Sequence, residues 1–325
     1  MLQRTHASAT KRTLSITMLT TTMVAALSAC GGGGGGDSGP ATVSSMTVAS
    51  SNPGAPVYGQ PVVVTVNGTQ LGNLSLTAPG CKNVTRLSAA PNASTDTTAY
   101  FSCTPSGAYT SSIMAVSNGS TVAQQTLTVP APIVSMAVSG AVNGTIIFNL
   151  KGDVAPITVD NFLAYVNAGF YDGADKNGAT IFHRVVNFND PQSGHFPYAV
   201  VQGGGYLPTT NPNLPTSQTK PATRDPIALE TTGGKNVQWT AAMARNNSGA
   251  QTQFFFNVED DSSAFDPGST PGYAVFADVS GSAAVITQIA QILQTPSACP
   301  ALVGFSDGSC LPVPNVKITS ATQIQ

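Results

Sequence analysis

Charged side chains are scarce in this chain. Lys and Arg together number 13 and Asp and Glu 15 among 325 residues, which is 9% of the sequence. The formal net charge is -2, and no cluster of Lys or Arg occurs beyond Arg12. Because a protein that binds nucleic acid needs a basic surface for the phosphates, the composition argues against nucleic acid as a partner. The abundance of Gly, Ser, Thr, Asn and Pro instead favours a mainly β, turn-rich, non-cytosolic protein.

A long apolar run is also missing at the start of the chain. The apolar residues 14–27 are too few to span a bilayer stably. They follow the basic residues Arg4, Lys11 and Arg12 and lead into small residues, which is the order of parts in a secretory signal. We therefore predict that the chain is exported.

The end of this run, Leu27-Ser28-Ala29-Cys30, resembles the lipobox of bacterial lipoproteins. The resemblance implies a signal peptide at residues 1–29, cleavage before Cys30 and acylation of that cysteine. Six glycines follow, and a flexible coil suits a tether, here assigned to residues 30–42. Gly31 in place of Asp favours the outer membrane, facing the periplasm. The alternative is an ordinary secretory signal in which Cys30 is incidental.

The remaining cysteines are few, and their spacing does not suit a metal site. No paired CxxC motif or suitably spaced His accompanies Cys81, Cys103, Cys299 and Cys310, so we expect no metal and no cofactor. An even number in an exported protein favours disulfides. Of the three possible connectivities we favour the local one, Cys81 with Cys103 and Cys299 with Cys310, because each pair lies within one predicted domain.

Helical periodicity is absent from residues 43–129. Short apolar or alternating runs are separated there by turn residues such as Asn67-Gly68, Pro79-Gly80 and Asn118-Gly119. This pattern predicts a small Ig-like β-sandwich domain with no chemistry of its own. The prolines of Pro130-Ala131-Pro132 mark the predicted boundary to a second domain, residues 130–325.

The second domain combines strands with two helices. Residues 133–138 and 144–150 read as strands. A helix is predicted over about residues 159–168, with Thr158 as its cap and Gly169 at its end, and another over about residues 282–293. The rest is strand and loop. This order predicts a closed β-barrel whose open ends are covered by two helices.

Over about residues 140–295 the chain resembles bacterial periplasmic cyclophilins, a family of peptidyl-prolyl cis/trans isomerases. The matching segments, in chain order, are Ala155-Pro156, Asn161-Phe162, Gly169-Phe170-Tyr171, Phe182-His183-Arg184-Val185, Gln202-Gly203-Gly204-Gly205, Ala242-Met243-Ala244-Arg245, Gln253-Phe254-Phe255 and Gly272-Tyr273-Ala274-Val275-Phe276. The resemblance implies a cyclophilin-like barrel that acts as a monomer, without a cofactor, on proline-containing unfolded or extended segments of extracytoplasmic proteins.

The same resemblance implies roles for individual residues. Arg184 is the expected donor to the prolyl nitrogen, and Gln202 is expected to orient it. The backbone of Ala244 and Arg245 is expected to bind an extended peptide. The expected apolar socket for the proline ring consists of Phe255, Val200, Phe265 and Tyr273.

Strand alternation refines this picture. In Phe254-Phe255-Phe256 only alternate residues share a face, so Phe255 should look toward the groove while its neighbours fill the core. We interpret His183 as structural, because proline isomerisation transfers no proton and alternation turns His183 away from Arg184.

The connection between Arg184 and Gln202 is longer than is usual in the family. Ala199 stands where the family has an aromatic residue, and Tyr198 beside it is the candidate for the missing ring. If no ring stands in the groove there, the alternative function is a weakly active or inactive scaffold lipoprotein that holds proline-containing segments.

Overall fold

The computed structural model describes residues 39–50, 54–186, 198–214, 218–231, 233–268, 270–294 and 297–325. The expected signal peptide, Cys30 and nearly all of the tether lie outside the described residues, as does the segment 187–197 before Tyr198. The described chain is mainly β and includes a closed barrel, so the predicted fold class is confirmed.

The N-terminal region folds into two antiparallel sheets. Its strands are β1 (Thr42–Ser50), β2 (Val62–Thr69), β3 (Ser75–Thr77), β4 (Cys81–Arg86), β5 (Thr98–Pro105), β6 (Thr110–Ser117) and β7 (Ser120–Thr128). One sheet is four-stranded in the order β1-β2-β5-β4, and the other is three-stranded in the order β3-β6-β7. The apolar pattern did not indicate β4, which has no fully buried position and only half-buried and exposed ones.

Alternating side chains build the core of this region. Val62, Val64 and Val66 on β2 are fully buried, because every second residue of a strand points to the same face. A disulfide joins Cys81 of β4 to Cys103 of the neighbouring β5. The bridge adds a constraint to a region whose apolar core is small.

The following strands form the closed barrel. They are β8 (Ile133–Ser139), β9 (Gly144–Leu150), β10 (Ile181–Val186), β11 (Val200–Gly203), β12 (Thr240–Asn246), β13 (Gly249–Asn257), β14 (Ala274–Asp278) and β15 (Val316–Gln323). Their order around the barrel is β10-β11-β13-β12-β14-β9-β8-β15, and pairing of β15 with β10 closes it.

Aromatic rings fill the barrel interior. Phe254 and Phe256 lie 5.6 and 5.5 Å from Phe148 between ring centroids, and both are fully buried. Phe182 packs 5.9 Å from Phe254. Such tilted and edge-on contacts are the preferred geometry of aromatic pairs, so the interior is a packed core rather than a channel.

Two helices cover the barrel, and a third helix of four residues precedes β14. They are α1 (Pro156–Asn167), α2 (Ser262–Phe265) and α3 (Ala283–Gln291). α1 buries Phe162 and Tyr165, and α3 buries Ile286 and Ile289. Gly169, with φ of 68°, follows α1 as predicted.

The expected N-cap of α1 is wrong. The helix begins at Pro156, so Thr158 lies inside the first turn and is fully buried. The carboxylate of Glu230 takes the capping role instead: it accepts hydrogen bonds from the N–H groups of Ile157 at 3.0 Å and Thr158 at 2.7 Å. A distant carboxylate thereby satisfies the free N–H groups of the first turn and complements the positive end of the helix.

The N-terminal sheets contact the barrel through polar groups. Lys82 pairs with Asp160 of α1 at 2.5 Å, and the same carboxylate accepts a hydrogen bond from Ser106 at 2.9 Å. The Tyr109 hydroxyl donates to the Leu150 carbonyl at 2.9 Å. The change of sheet falls between β7 and β8, where the prolines stand; the division into two domains stays a prediction. Among the described residues, none of the helices combines the length and apolarity needed to cross a bilayer.

Candidate active site

Arg184 and Gln202 are direct partners on the adjacent antiparallel strands β10 and β11. The register shifts between Phe182 and Arg184, so His183 is an extra residue on β10. Because of this bulge, Phe182 packs inside the barrel against Phe254 while Arg184 lines the groove. Strict alternation would have placed Phe182 and Arg184 on one face.

The guanidinium of Arg184 is held by several side chains. Its Nη1 donates to Oε1 of Gln202 at 3.0 Å and its Nε to Oγ of Ser309 at 2.8 Å. Its Nη2 donates to the hydroxyl of Tyr198 at 3.2 Å and forms a salt bridge with the carboxylate of Asp307. Gln202 is itself held by Gln253, whose Oε1 accepts from Nε2 of Gln202 at 2.9 Å. The arginine therefore has a defined orientation before any ligand binds.

A cluster of apolar side chains lies beside Arg184, apart from the barrel core. Phe255 packs 5.2 Å from Phe265 and 5.3 Å from Tyr273. Phe265 also packs 5.1 Å from Tyr273. Val200 belongs to the same cluster and is almost fully buried. The structure thus brings all four expected socket residues together and turns Phe255 away from Phe254 and Phe256.

The ring of Tyr198 stands in the groove next to Ala199. It lies 4.9 Å from the ring of Phe265, and its hydroxyl contacts both Arg184 and Asp307. Ala199 is buried, and its N–H donates to Oδ1 of Asp261 at 2.9 Å. An aromatic side chain is therefore present at the groove wall, supplied by the residue before Ala199.

These side chains surround a cavity of about 460 Å³. The residues lining it are Arg184, Tyr198, Val200, Gln202, Ala244, Arg245, Phe255, Phe265, Tyr273, Gly304, Phe305, Ser306 and Asp307. All the residues expected to act on or bind the substrate are among them. A cavity with an apolar floor and a few convergent polar groups at one side is the usual form of a ligand site.

Ala244 and Arg245 edge the cavity from β12. The register between β12 and β13 shifts between Met243 and Arg245, at Ala244. The guanidinium of Arg245 donates to the carbonyl of Gly272 at 2.9 Å and lies 5.3 Å from the ring of Tyr273. The side chain of Arg245 thus braces the segment that presents Tyr273 to the groove.

The charges around Arg184 follow from burial and hydrogen bonding. Burial alone would raise the pKa of Asp307, but hydrogen bonds from Ser309 and the charge of Arg184 outweigh it and the pKa is lowered. Asp307 is therefore a carboxylate at neutral pH. Burial and the hydrogen bond to Asp307 raise the pKa of Tyr198, so its hydroxyl stays protonated and can donate.

Among the described residues, His183 is not one of those that line the cavity. It is buried, and its ring packs 4.5 Å from that of Tyr206. Burial and the neighbouring charge of Arg184 lower its pKa to about 3. The imidazole is therefore neutral near pH 7, in keeping with its interpretation as a structural residue.

Sequence reasoning missed Phe305, Asp307 and Ser309. These residues lie in the segment between Cys299 and Cys310, the two cysteines that form the second expected disulfide. The expected disulfide could have indicated that this segment forms a compact loop. Nothing in the local sequence pattern indicated that the loop contacts β10.

A closed eight-stranded β-barrel with an aromatic socket beside a held arginine defines a peptide-binding enzyme of the proline isomerase type. Residues 133–323 match the sequence profile of the family described as cyclophilin type peptidyl-prolyl cis-trans isomerase/CLD. The chain therefore belongs to the cyclophilin-type peptidyl-prolyl cis-trans isomerases, and the enzyme class expected from the sequence is confirmed.

Individual relatives agree with this assignment. The chain is 38% identical over 152 residues to the peptidyl-prolyl cis-trans isomerase cyp18 of Streptomyces antibioticus, a match that covers 45% of this chain and 77% of the relative. It is 36% identical over 161 residues to peptidyl-prolyl cis-trans isomerase A of Dickeya dadantii (strain 3937), covering 48% and 71%. Peptidyl-prolyl cis-trans isomerase B of Escherichia coli (strain K12) is 36% identical over 153 residues, covering 45% and 79%.

Proposed function

We propose that this protein isomerises X-Pro bonds in extracytoplasmic proteins and that Arg184 is its catalytic donor. Rotation of an X-Pro amide breaks its resonance, against a barrier of about 18 to 20 kcal/mol. As the prolyl nitrogen becomes pyramidal, its lone pair becomes able to accept a hydrogen bond. A permanently charged guanidinium can donate to it in a fixed direction.

The observation that supports this proposal most is that Arg184 and the apolar socket line one cavity. Phe255, Phe265 and Val200 offer the surface a proline ring needs, and Tyr198 and Gln202 border the guanidinium. A proline seated in the socket therefore has the donor beside its nitrogen. Donors oriented in advance stabilise a transition state most, because little reorganisation is left for the reaction.

The test is Arg184→Ala in an assay that follows cis/trans isomerisation of a short peptide with a single X-Pro bond. We expect kcat/KM to fall by about 100-fold or more, the usual effect of removing one oriented donor at a reacting centre. Arg184→Lys tests geometry, because it keeps a positive charge but loses the planar fork; it should restore little activity.

Arg224→Ala is the matched control. Arg224 is exposed, and its backbone, rather than its side chain, makes the contacts with Tyr165 and Gln251. It should retain full activity. Unchanged turnover in Arg184→Ala would contradict the role proposed for Arg184.

The second candidate is a scaffold that binds proline-containing segments without efficient turnover. The observation favouring it is the carboxylate of Asp307 on Arg184, which offsets part of the positive charge. The two functions differ in one pair of measurements on the wild-type protein: a scaffold binds a proline peptide, by calorimetry or fluorescence, yet does not accelerate its isomerisation.

We further propose that Cys30 is acylated and tethers the protein, as a monomer, to the outer membrane on the periplasmic side. The sequence Leu27-Ser28-Ala29-Cys30 and the glycines at 31–36 support this. In a bacterial host, Cys30→Ala should abolish labelling by a radioactive fatty acid and move the protein to the soluble fraction. Gly31→Asp should keep the label but shift the protein to the inner membrane. Labelling that persists in Cys30→Ala would contradict the anchor.

A further inference from the structure

Residues 298–313, which we term the C-terminal hairpin, form a compact unit near Arg184. Leu302 donates its N–H to the Ser309 carbonyl at 2.8 Å, and Leu311 donates to the Pro300 carbonyl at 3.0 Å. The disulfide between Cys299 and Cys310 closes the same unit. Its ends are therefore held together by both covalent and backbone hydrogen bonds.

The hairpin is attached to β10 next to the arginine. Cys310 exchanges two backbone hydrogen bonds with Val185, 3.0 Å and 2.9 Å long. On β10, β15 pairs with Ile181 and Phe182 at the start of the strand. The hairpin pairs with β10 further along, beyond the last residue that pairs with β15. Leu302 and Leu311 are buried against Ile181. The position of the hairpin relative to Arg184 is thus set by the backbone.

From this attachment the hairpin delivers Asp307 and Ser309 to the guanidinium. Asp307 is 5% exposed and Ser309 1%, so both are taken out of water. The carboxylate of Asp307 also accepts hydrogen bonds from the Ser309 N–H at 3.0 Å and the Tyr198 hydroxyl at 2.9 Å. A buried carboxylate with this many donors has a fixed position.

The hydrogen bonds of Arg184 show how the contacts with Asp307 and Ser309 affect its guanidinium. A guanidinium has five N–H donors in a planar fork. Within the described part of the chain, four have protein acceptors: Ser309, Gln202, Tyr198 and Asp307. The remaining donor is on Nη1, the nitrogen that also contacts Gln202. One N–H of the arginine is thus left for a ligand in the cavity.

We propose that Asp307 is a positioning residue of the active site and that the C-terminal hairpin holds it in place. The inference rests on the proposed function of Arg184 and deepens it. Asp307 fixes the plane of the guanidinium so that the free Nη1–H is directed before the substrate arrives. An arginine side chain that is already ordered loses less conformational freedom on binding and reaction.

The test compares Asp307→Ala, Asp307→Asn and the control Asp225→Ala, an exposed acidic residue. We expect Asp307→Ala to lower kcat about tenfold or more with little change in KM, as for loss of a hydrogen bond to a charged group. Asp307→Asn keeps an acceptor oxygen for the guanidinium and should restore part of kcat. Asp225→Ala should behave as wild type.

The Cys299→Ser/Cys310→Ser double variant tests the hairpin as the holder of Asp307. It should lower kcat in the same direction as Asp307→Ala. Cys81→Ser/Cys103→Ser removes the other disulfide, on β4 and β5, and serves as the matched control. It should leave kcat of the folded protein unchanged.

A measurement independent of turnover is the ¹⁵N–¹H signal of Arg184 Nε. The signal should be sharp and slow to exchange in wild type, and exchange at least about tenfold faster in Asp307→Ala and in the hairpin variant. If Asp307→Ala folds poorly, the nearly isosteric Asp307→Asn takes its place in both the activity and the exchange measurements.

Equal or higher kcat in both Asp307 variants, with an unchanged Nε signal, would overturn the inference; a higher kcat would mean that the carboxylate weakens the arginine. An inactive wild type would contradict the proposed function instead, and the exchange measurement would then still decide whether Asp307 orders Arg184.

Discussion

Gln202 stands opposite Arg184 in the β10–β11 ladder and accepts a hydrogen bond from its Nη1 at 3.0 Å. The amide of Gln202 is in turn held by Gln253. The strand pairing sets the distance between the two backbones, and the side-chain hydrogen bond sets the direction of the guanidinium. The pair therefore links the stability of the barrel wall to the proposed chemistry.

Gln202→Ala should lower kcat/KM about tenfold or more, because a hydrogen bond to a charged group contributes about 1.5 to 3 kcal/mol. The measurement is the X-Pro peptide assay, with Gln124→Ala on β7 as the control, since Gln124 is exposed and its side chain donates a hydrogen bond to Ser112 of β6, in the N-terminal region. Equal kcat/KM in Gln202→Ala and wild type would show that Gln202 does not orient Arg184.

Phe255→Leu should raise KM for proline peptides, because Phe255 faces the groove and forms the floor of the socket. Phe254→Leu is the matched control: it makes the same change one residue away, inside the barrel core. Both should lower stability by about 0.5 to 3 kcal/mol. Only Phe255→Leu should change KM, measured at a temperature where both variants are folded. A rise of KM in both would mean that barrel packing, and not the socket, determines binding.

Asp261→Asn should remove a pH dependence of stability. Burial raises the pKa of Asp261 to about 7, even though the Ala199 N–H opposes this, and Oδ2 has no partner within the described residues. Between about pH 4 and pH 7 the folded state binds more protons than the unfolded chain, so stability falls as pH rises through this range. At pH 8 Asp261→Asn should have the higher Tm, whereas at pH 4 the two should agree. Parallel Tm profiles of wild type and Asp261→Asn, with Asp225→Asn as the control, would refute this.

His183 should remain neutral from pH 8 to pH 5, because its pKa in the folded protein is about 3. The ring-proton NMR shifts should be constant over this range, while the same histidine in urea should titrate near its ordinary pKa of about 6.5. Since the unfolded chain takes up a proton first, this residue makes stability fall as pH drops from about 6.5 toward 3. A titration midpoint near 6.5 in the folded protein would contradict the burial of His183.

Patterns within a few residues predicted much of this molecule. Alternation in Phe254-Phe255-Phe256 correctly assigned two rings to the core and one to the groove, because side chains of a strand point to opposite faces in turn. The same reasoning could not anticipate the bulge at His183, since a bulge depends on the register with β11. Likewise Thr158 has the chemistry of a cap, but Glu230, far along the chain, occupies that place.

Local patterns were sufficient for the fold class and the enzyme family and for choosing the residues of the proposed site, because turn residues, period-two runs and collinear family segments are all features of neighbouring residues. The sequence also favoured the local disulfides that the structure contains. The surroundings of Arg184, in contrast, depend on contacts between segments that are distant in the chain. The C-terminal hairpin reaches β10 through backbone pairing of Cys310 with Val185, a contact between segments far apart in the chain. Asp307 meets the arginine because the barrel brings these segments together, and no periodicity in either segment encodes that meeting.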